Sequence, residues 1–160
     1  MTPADFAAME CSVARTLDAI GDRWSLLIIR DAFYGVRRFD AFQRDLGVAR
    51  NILTDRLQKL VDKGVLERRP YEERPPRYEY RLTEQGRDLV GVVLAMMRWG
   101  DRWTGEGGAP VSIIHTTCGH VTQPVVACSE CGGELHLEDL LADPIPINGN
   151  RVRGPLDPVG

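Results

Sequence analysis

The residues best suited to coordinate a metal ion lie between positions 115 and 133, a stretch with three of the chain's four cysteines and two of its three histidines. Two residues separate His115 from Cys118, and two separate Cys128 from Cys131. This pair of spacings is typical of a zinc ribbon, in which thiolate and imidazole donors surround the ion tetrahedrally. A glycine follows the second donor of each pair and permits the tight backbone turn that such a knuckle needs.

We therefore expect one structural zinc ion held by His115, Cys118, Cys128 and Cys131. His120 is the next candidate for the fourth ligand, and His136 is a more distant one. Because the protein supplies all four ligands in this interpretation, no position remains for a catalytic water, which argues against a metal-dependent enzyme. The alternative is a metal-free tail whose thiols are free or disulfide-bonded.

Length and composition limit the elements that could position these donors. A chain of 160 residues with 43% hydrophobic residues can bury the core of one ordinary domain and support a small appendage. Its longest apolar runs, such as residues 89–97, fall short of the roughly 20 residues that span a bilayer. The first residues lack the basic segment and apolar core of a signal peptide. We expect a cytoplasmic protein with no membrane partner, in which a cysteine cluster more often binds metal than forms structural disulfides.

The net charge of the chain is −3, but its middle segment is basic. Residues 37–81 contain twelve arginine and lysine residues against eight aspartate and glutamate residues, a net charge of +4. The remainder of the chain carries −7. A basic segment between acidic ends is expected of a protein that binds nucleic acid, although a solvated arginine-rich surface would have the same composition.

Hydrophobic periodicity predicts three consecutive helices, over residues 23–35, 37–47 and 48–64, each closed by a glycine. Two strand-like runs follow, at residues 65–72 and 77–83, around a turn-prone segment. This order predicts a mainly α fold with a β-hairpin wing, the winged helix-turn-helix. The cysteine-rich region adds a small zinc-ribbon-like β segment. A winged helix places its recognition helix in the major groove of DNA and its wing against neighbouring phosphates.

The third predicted helix has a polar face opposite its stripe of leucines. Asparagine and glutamine can pair bidentately with adenine, and threonine offers a hydroxyl and a methyl group. We expect contacts with double-stranded operator DNA from this helix and from the wing, made by Arg50, Asn51, Thr54, Gln58, Lys59, Arg74 and Arg77. The alternative is that these side chains only solvate a surface helix.

Three segments of the sequence resemble the HxlR-type winged-helix transcriptional regulators of bacteria: "CSVARTLDAIGDRW" (11–24), "RFDAFQRDLGVARNILTDRLQKLVDKGVLERRPY" and "RYEYRLTEQGRDL". The resemblance covers roughly residues 11–104. It implies a homodimer that binds a palindromic operator and represses or activates neighbouring genes. It also implies a redox or electrophile sensor at Cys11, because several family members use the matching cysteine in this way. A buried, inert thiol is the alternative for Cys11.

A long apolar helix is predicted over residues 83–104, where Leu89, Val93, Met96 and Trp103 recur at helical spacing. We expect it to form the dimer interface, although it could instead pack on the monomer's own helices. Arginine and tryptophan near its end could also line a pocket for a small-molecule effector.

The predicted organisation is a winged-helix domain (1–104), a linker (105–110), a zinc-ribbon-like segment (111–140) and an extended or disordered tail (141–160). The predicted function is a non-enzymatic transcriptional regulator. The alternatives are a metal-dependent enzyme and a winged-helix module that binds a partner protein.

Overall fold

The computed structural model describes residues 6–104, 107–147 and 150–155. The chain divides into two compact units, Met1–Val93 and Leu94–Gly160. No helix in the described ranges is both long and apolar enough to cross a membrane.

The described part of the first unit contains a short 3-10 helix, five α-helices, a two-stranded sheet and the start of a sixth α-helix. A short 3-10 helix, Phe6–Ala8, comes first. The other elements are α1 (Ser12–Ile20), α2 (Arg23–Phe33), α3 (Phe39–Leu46), α4 (Arg50–Asp62), β1 (Leu66–Glu73), β2 (Pro76–Leu82), α5 (Glu84–Asp88) and α6 (Val90–Trp103).

Local sequence signals set the ends of these helices. Asp22 caps α2, because its carboxylate accepts hydrogen bonds from the backbone N–H groups of Trp24 and Ser25. Gly47 ends α3 with a φ of +61°, a left-handed conformation that suits glycine. The three predicted helices therefore correspond to α2, α3 and α4.

One hydrophobic cluster joins the helices to the base of the wing. Its members are Ile20, Ile28, Ile29, Ala32, Phe42, Val48, Leu53, Leu57, Leu60, Val65, Leu66 and Leu82. Leu53, Leu57 and Leu60 of α4 are fully buried, which confirms the predicted inward stripe of this helix. Burial of a leucine side chain contributes about 1.5–3 kcal/mol, so this stripe fixes which face of α4 remains in solvent.

The wing is an antiparallel hairpin of β1 and β2, with Leu66 opposite Leu82 and Glu73 opposite Pro76. A short bridge adds Arg38 beside Glu79, and the Tyr80 N–H donates to the Arg37 carbonyl over 2.7 Å. The wing is thus tied to the segment that starts α3. The predicted mainly helical fold with a β-hairpin is confirmed.

The predicted helix over residues 83–104 is interrupted, since α5 ends at Asp88 and α6 begins at Val90. The Thr83 hydroxyl accepts a hydrogen bond from the Gly86 N–H and donates one to the Gly64 carbonyl, which fixes the start of α5. Gly86 and Gly91 lie on either side of the break, and glycine has a low helix propensity.

The described residues of the second unit form the later turns of α6 and three pairs of antiparallel backbone segments. β3 (Ile113–His115) pairs with β4 (His120–Thr122), and Ala127 forms a bridge with Glu134. A 3-10 helix, Leu137–Asp139, precedes β5 (Leu141–Ile147), which pairs with β6 (Asn150–Pro155). The rest of the predicted tail, residues 148–149 and 156–160, and positions 105–106 of the predicted linker lie outside the described residues.

Candidate nucleic-acid interface

Helix α4 presents a polar face to solvent opposite its buried leucines. Asn51, Thr54 and Gln58 are exposed on this face, as the sequence predicted. The Thr54 hydroxyl donates to the Arg50 carbonyl over 2.9 Å, and the Gln58 amide donates to the Asp62 carboxylate over 2.8 Å. Among the residues that the structure describes, the Asn51 side chain has no hydrogen-bond partner. Its amide is therefore the group on this face that is free to pair with a base edge.

Lys59 is less exposed than the other predicted contacts and lies near two carboxylates. A hydrogen bond from Lys63 lowers the pKa of Asp18, and the charges of Lys63 and Lys59 act in the same direction. Burial raises the pKa of Asp22, but hydrogen bonds from Ser25 and the charges of Arg56 and Lys59 outweigh that effect and lower it. The charge of Lys59 thus acts partly on the protein's own carboxylates.

A cleft of about 630 Å³ lies between the start of α3, the start of α4 and the wing. Four arginines line it, together with aromatic side chains from α3 and the wing. The residues concerned are Arg38, Phe39, Asp40, Ala41, Arg44, Arg50, Tyr71, Pro76, Arg77, Tyr78 and Tyr80. Asp40 is the lone acidic group of this lining, so the cleft favours an anion.

Three arginines at or near this cleft stack on aromatic rings. Arg38 lies over Tyr71 at 4.6 Å from the ring centroid, and Arg50 lies over Phe39 at 4.8 Å. Arg68 lies over Tyr78 at 3.5 Å. Stacking orients a guanidinium group while its N–H donors remain available for an oxygen ligand.

The two predicted wing contacts differ in their surroundings. Arg74 is exposed at the turn between β1 and β2. Arg77 is also exposed, and its Nε lies 3.3 Å from a carboxylate oxygen of Glu72. Arg38, Arg44 and Arg68 were missed by sequence reasoning. The alternating run Tyr78, Glu79, Tyr80 and Arg81 indicated a sheet with one solvated face but did not indicate that Arg68 stacks on Tyr78. Arg38 depends on contact with a residue 33 positions away.

The predicted metal ligands occupy two turns with the same backbone pattern. The Gly119 N–H donates to the His115 carbonyl over 2.8 Å, and the Gly132 N–H donates to the Cys128 carbonyl over 2.9 Å. Gly119 and Gly132 have φ values of +74° and +73°, so each position requires glycine, as predicted. Each turn thus brings two donors to the same side of a loop.

Within each turn the donor atoms are close. Cys118 Sγ lies 3.4 Å from His115 Nδ1. The backbone N–H groups of Cys131 and Glu130, together with the Cys131 side chain, lower the pKa of the Cys128 thiol. The described part of the chain contains no group of three or more histidine, cysteine or acidic side chains placed to hold a metal ion. The structure therefore forms two donor pairs and does not bring the four predicted ligands together.

Cys11 and the apolar side of α6 are both exposed. Cys11 is the N-cap residue of α1 in an extended conformation, and its side chain is exposed in the single chain and not buried. On α6, Trp99 and Trp103 are 62% and 64% exposed, and Met96 is 50% exposed. A large exposed apolar surface of this kind favours a partner.

A family model described as HxlR-like helix-turn-helix matches residues 19–107 of the chain. The chain belongs to this family. It is a helix-turn-helix transcriptional regulator, DNA binding is the role that the family implies, and the prediction that it is not an enzyme is confirmed.

Relatives and solved structures of this family cover most of the chain. A helix-turn-helix transcriptional regulator of Mycobacterium tuberculosis is 44% identical over 136 residues, which are 84% of this chain and 86% of the relative. The crystal structure of the transcription factor PA1607 matches with a TM-score of 0.75 and 40% identity, over 86% of this chain and 96% of the other. The oxidized form of the redox regulator HypR matches with a TM-score of 0.55 and 36% identity, over 60% of this chain and 100% of the other.

Proposed function

We propose that this HxlR-like regulator binds double-stranded operator DNA as a homodimer, with α4 in the major groove and the wing against the phosphates. The observation that carries the proposal is the exposed polar face of α4 beside a cleft lined by four arginines. An α-helix fits the major groove, and arginine clusters neutralise the DNA backbone. A cytoplasmic location belongs to this proposal, because a bacterial regulator must reach its operator.

The predicted contact residues divide into two groups by chemistry. Asn51, Thr54 and Gln58 carry neutral donors and acceptors suited to base edges. The charged side chains Arg50, Lys59, Arg74 and Arg77 are suited to phosphates, and the partial burial of Lys59 gives it the weakest contact. Arg38 and Arg44 join this second group because they line the same cleft.

The homodimer is supported by the exposed apolar residues of α6. Met96, Trp99 and Trp103 recur at i, i+3 and i+7 on this helix, so they share one face. A second copy of the same helix would remove this face from water.

A structural zinc ion in the second unit is also part of the proposal. The donors fit zinc, since three thiols and one imidazole are a ligand set that it prefers. Further support comes from the matching backbone hydrogen bonds of the two turns. Bound zinc would link the two donor pairs and order a segment with little core of its own, with His115, Cys118, Cys128 and Cys131 as ligands.

Regulation by oxidants at Cys11, or by a small-molecule effector, completes the proposal. Cys11 is exposed at a helix N-terminus, and HypR, which is named a redox regulator, shares 36% identity with the chain. The exposure of the thiol gives a peroxide or electrophile direct access to it.

Binding of duplex DNA from the chain's own upstream region, measured at several salt concentrations, tests the function. Asn51→Ala should reduce discrimination among operator variants by about 1–3 kcal/mol, whereas Arg74→Ala should weaken binding to all duplexes alike and lower the salt slope by about one. Arg15→Ala, which removes an exposed arginine of α1, is the matched control and should change neither.

Two results would count against this function. Salt-independent or undetectable duplex binding would favour the alternative of a winged-helix module that binds a protein. An unchanged sequence preference in Asn51→Ala would show that α4 is not the reading surface.

A further inference from the structure

A cavity of about 460 Å³ lies within the second unit, between the later turns of α6 and the chain that forms β3 and β4. Pockets for small molecules commonly have volumes of about 300–1,000 Å³, so this cavity is large enough for a ligand of drug size or smaller. Neither the predicted zinc ligands nor the residues proposed to contact DNA line it.

One face of α6 forms a wall of the cavity. Leu94, Met97, Arg98, Asp101 and Arg102 all line it, and their spacing of three, four, seven and eight residues places them on one side of the helix. The first two are apolar and the last three are charged. This wall therefore has an apolar end and a charged end, separated by about one helical turn.

The facing wall continues the same division. Val111, Ile113 and Val121 supply apolar surface, and Ser112 and Thr122 supply hydroxyl groups. A ligand in contact with both walls would place an apolar body between Leu94 and Ile113. Such a lining, mostly apolar with a few polar groups, is typical of sites for small organic molecules.

The charged groups of the cavity are not equivalent. Arg98 Nη1 donates to the Pro124 carbonyl over 3.2 Å and to Glu134 over 2.7 Å. The same hydrogen bond lowers the pKa of Glu134, so the charge of Arg98 is matched by a carboxylate. Arg98 therefore fixes the wall and is not free for a ligand.

Arg102 has no such partner. Its guanidinium lies over the Trp103 ring at 4.8 Å, and within the described part of the chain it forms no ion pair. Asp101, the other charged group at this end, also forms no ion pair there. One oriented guanidinium can bind a carboxylate through two parallel hydrogen bonds, while the charge of Asp101 opposes a second carboxylate.

We propose that this cavity binds a small monocarboxylic acid with an apolar body, with its carboxylate on Arg102 and its body between α6 and the β3–β4 hairpin. Asp101 selects monoanions over dicarboxylates. The proposed small-molecule effector thereby has a site and a chemical class. Binding of the acid does not depend on the proposed function, whereas an effect of the acid on DNA binding does. Val93 of α6 packs against the core of the first unit, and the next residue, Leu94, lines the cavity.

The experiment uses the full-length protein. The probe is 4-phenylbutanoate, and the control ligand is its uncharged amide, 4-phenylbutanamide. Affinities are measured by calorimetry, and methyl NMR signals of Ile113 and Val121 locate the site, with Ile28 of the first unit as the reference. We expect the acid to bind at least tenfold more tightly than the amide and to shift the Ile113 and Val121 signals but not that of Ile28.

Two charge variants test the roles of the neighbouring side chains. Arg102→Gln should remove the preference for the acid and leave binding of the amide unchanged. Asp101→Asn should tighten binding of the acid and admit the dicarboxylate phenylsuccinate. Thr122→Trp should fill the cavity and abolish binding of both probes, whereas Thr16→Trp, at an exposed position of α1, should retain it.

The inference is overturned if neither probe binds at millimolar concentration, if acid and amide bind equally, or if Arg102→Gln retains the preference. Duplex binding is measured in parallel on the same protein. A protein that binds duplex but not the acid loses this inference and keeps the proposed function. A protein that binds the acid but no duplex keeps this inference and loses the proposed function. If the protein binds both and the acid does not change its affinity for DNA, only the proposal that the acid regulates DNA binding is lost.

Discussion

Asp22 caps helix α2 and also contacts a side chain of helix α4. Its carboxylate caps α2 and accepts a hydrogen bond from the Ser25 hydroxyl. Its Oδ1 also lies 3.3 Å from Arg56 Nε on α4. This nitrogen is buried, and the contact with Asp22 does not have the geometry of a hydrogen bond. The carboxylate therefore helps to hold α4 against α2.

We expect Asp22→Ala to lower the free energy of unfolding by about 1–2 kcal/mol, since it removes the cap and takes away the carboxylate beside the buried Arg56 Nε. Urea denaturation measures the change. Asp55→Ala is the control, because Asp55 also lies beside Arg56, at 3.2 Å, but is mostly exposed and caps no helix. It should change stability by less than about 0.5 kcal/mol.

The same residue predicts a pH dependence. The folded state holds the pKa of Asp22 below its ordinary value of 3.8. Ionised Asp22 therefore contributes fully to the free energy of unfolding above the ordinary pKa. This contribution is lost as the pH falls through the pKa of the folded state. The stability difference between the wild type and Asp22→Asn should be constant near neutral pH and shrink below about pH 4. A difference that grows on acidification would contradict the assignment.

Cys11 yields a prediction about regulation. If its exposed thiol senses oxidants or electrophiles, treatment with diamide should release operator DNA from the wild type but not from Cys11→Ser. An electrophoretic shift assay measures the release. Cys128→Ser is the control and should still respond at Cys11. Release that persists in Cys11→Ser would assign the response to the cysteines of the second unit.

At the scale of elements, two glycines near the break between α5 and α6 have opposite surroundings. A Cβ atom on Gly86 would clash with the carbonyl oxygen of Val65, the residue before β1. A Cβ atom on Gly91 would meet nothing within 4 Å. The first glycine is required by close backbone approach, and the second is not.

Gly86→Ala should therefore destabilise the protein by about 1–3 kcal/mol through overpacking. Gly91→Ala makes the same chemical change inside a helix and should stabilise it by about 0.5–1 kcal/mol. Thermal denaturation of the two variants compares them directly. Equal shifts of the two melting temperatures in the same direction would contradict the packing at Gly86.

The exposed side of α6 predicts an association that can be measured. Trp99→Asp should shift the protein from dimer to monomer in sedimentation velocity, because a buried charge without a partner is costly at an interface. Val125→Asp is the matched control, since it places the same charge at a position that is 55% exposed in the second unit. An unchanged dimer in Trp99→Asp would exclude this face as the interface.

The elements differ in how far the sequence could predict them. Periodicity was sufficient for α4, because Leu53, Leu57 and Leu60 fix one face whatever lies around the helix. The break at Leu89 was missed, although Gly86 and Gly91 on either side of it were visible in the sequence. The cleft was missed because Arg38 and Tyr71 are far apart in the chain and meet through the bridge between Arg38 and Glu79.

At the scale of the whole molecule, zinc should affect the two units unequally. Elemental analysis should find about one zinc per chain, and chelation should open protease sites in residues 111–140 while the first unit stays folded around its own core. Mass spectrometry of the fragments maps the cuts. Cys128→Ser should lose the metal and Ser129→Ala should keep it, and single substitutions of His115 and His120 identify the fourth ligand.

The zinc proposal predicts a difference between the loaded and the metal-free protein. Metal-free protein that resists proteolysis in residues 111–140 as well as the loaded protein does would rule out a structural role.

Stacking on aromatic rings restricts the rotation of three arginine side chains before any DNA is bound. Arg38, Arg50 and Arg68 are held against Tyr71, Phe39 and Tyr78 in the protein without DNA. Ordering a long side chain costs about 1.5–2 kcal/mol of entropy, and here much of that cost falls on folding instead of on association. Lysine would keep the charge at these positions but not the planar stacking. Net charge alone would therefore understate how strongly this surface selects its anion.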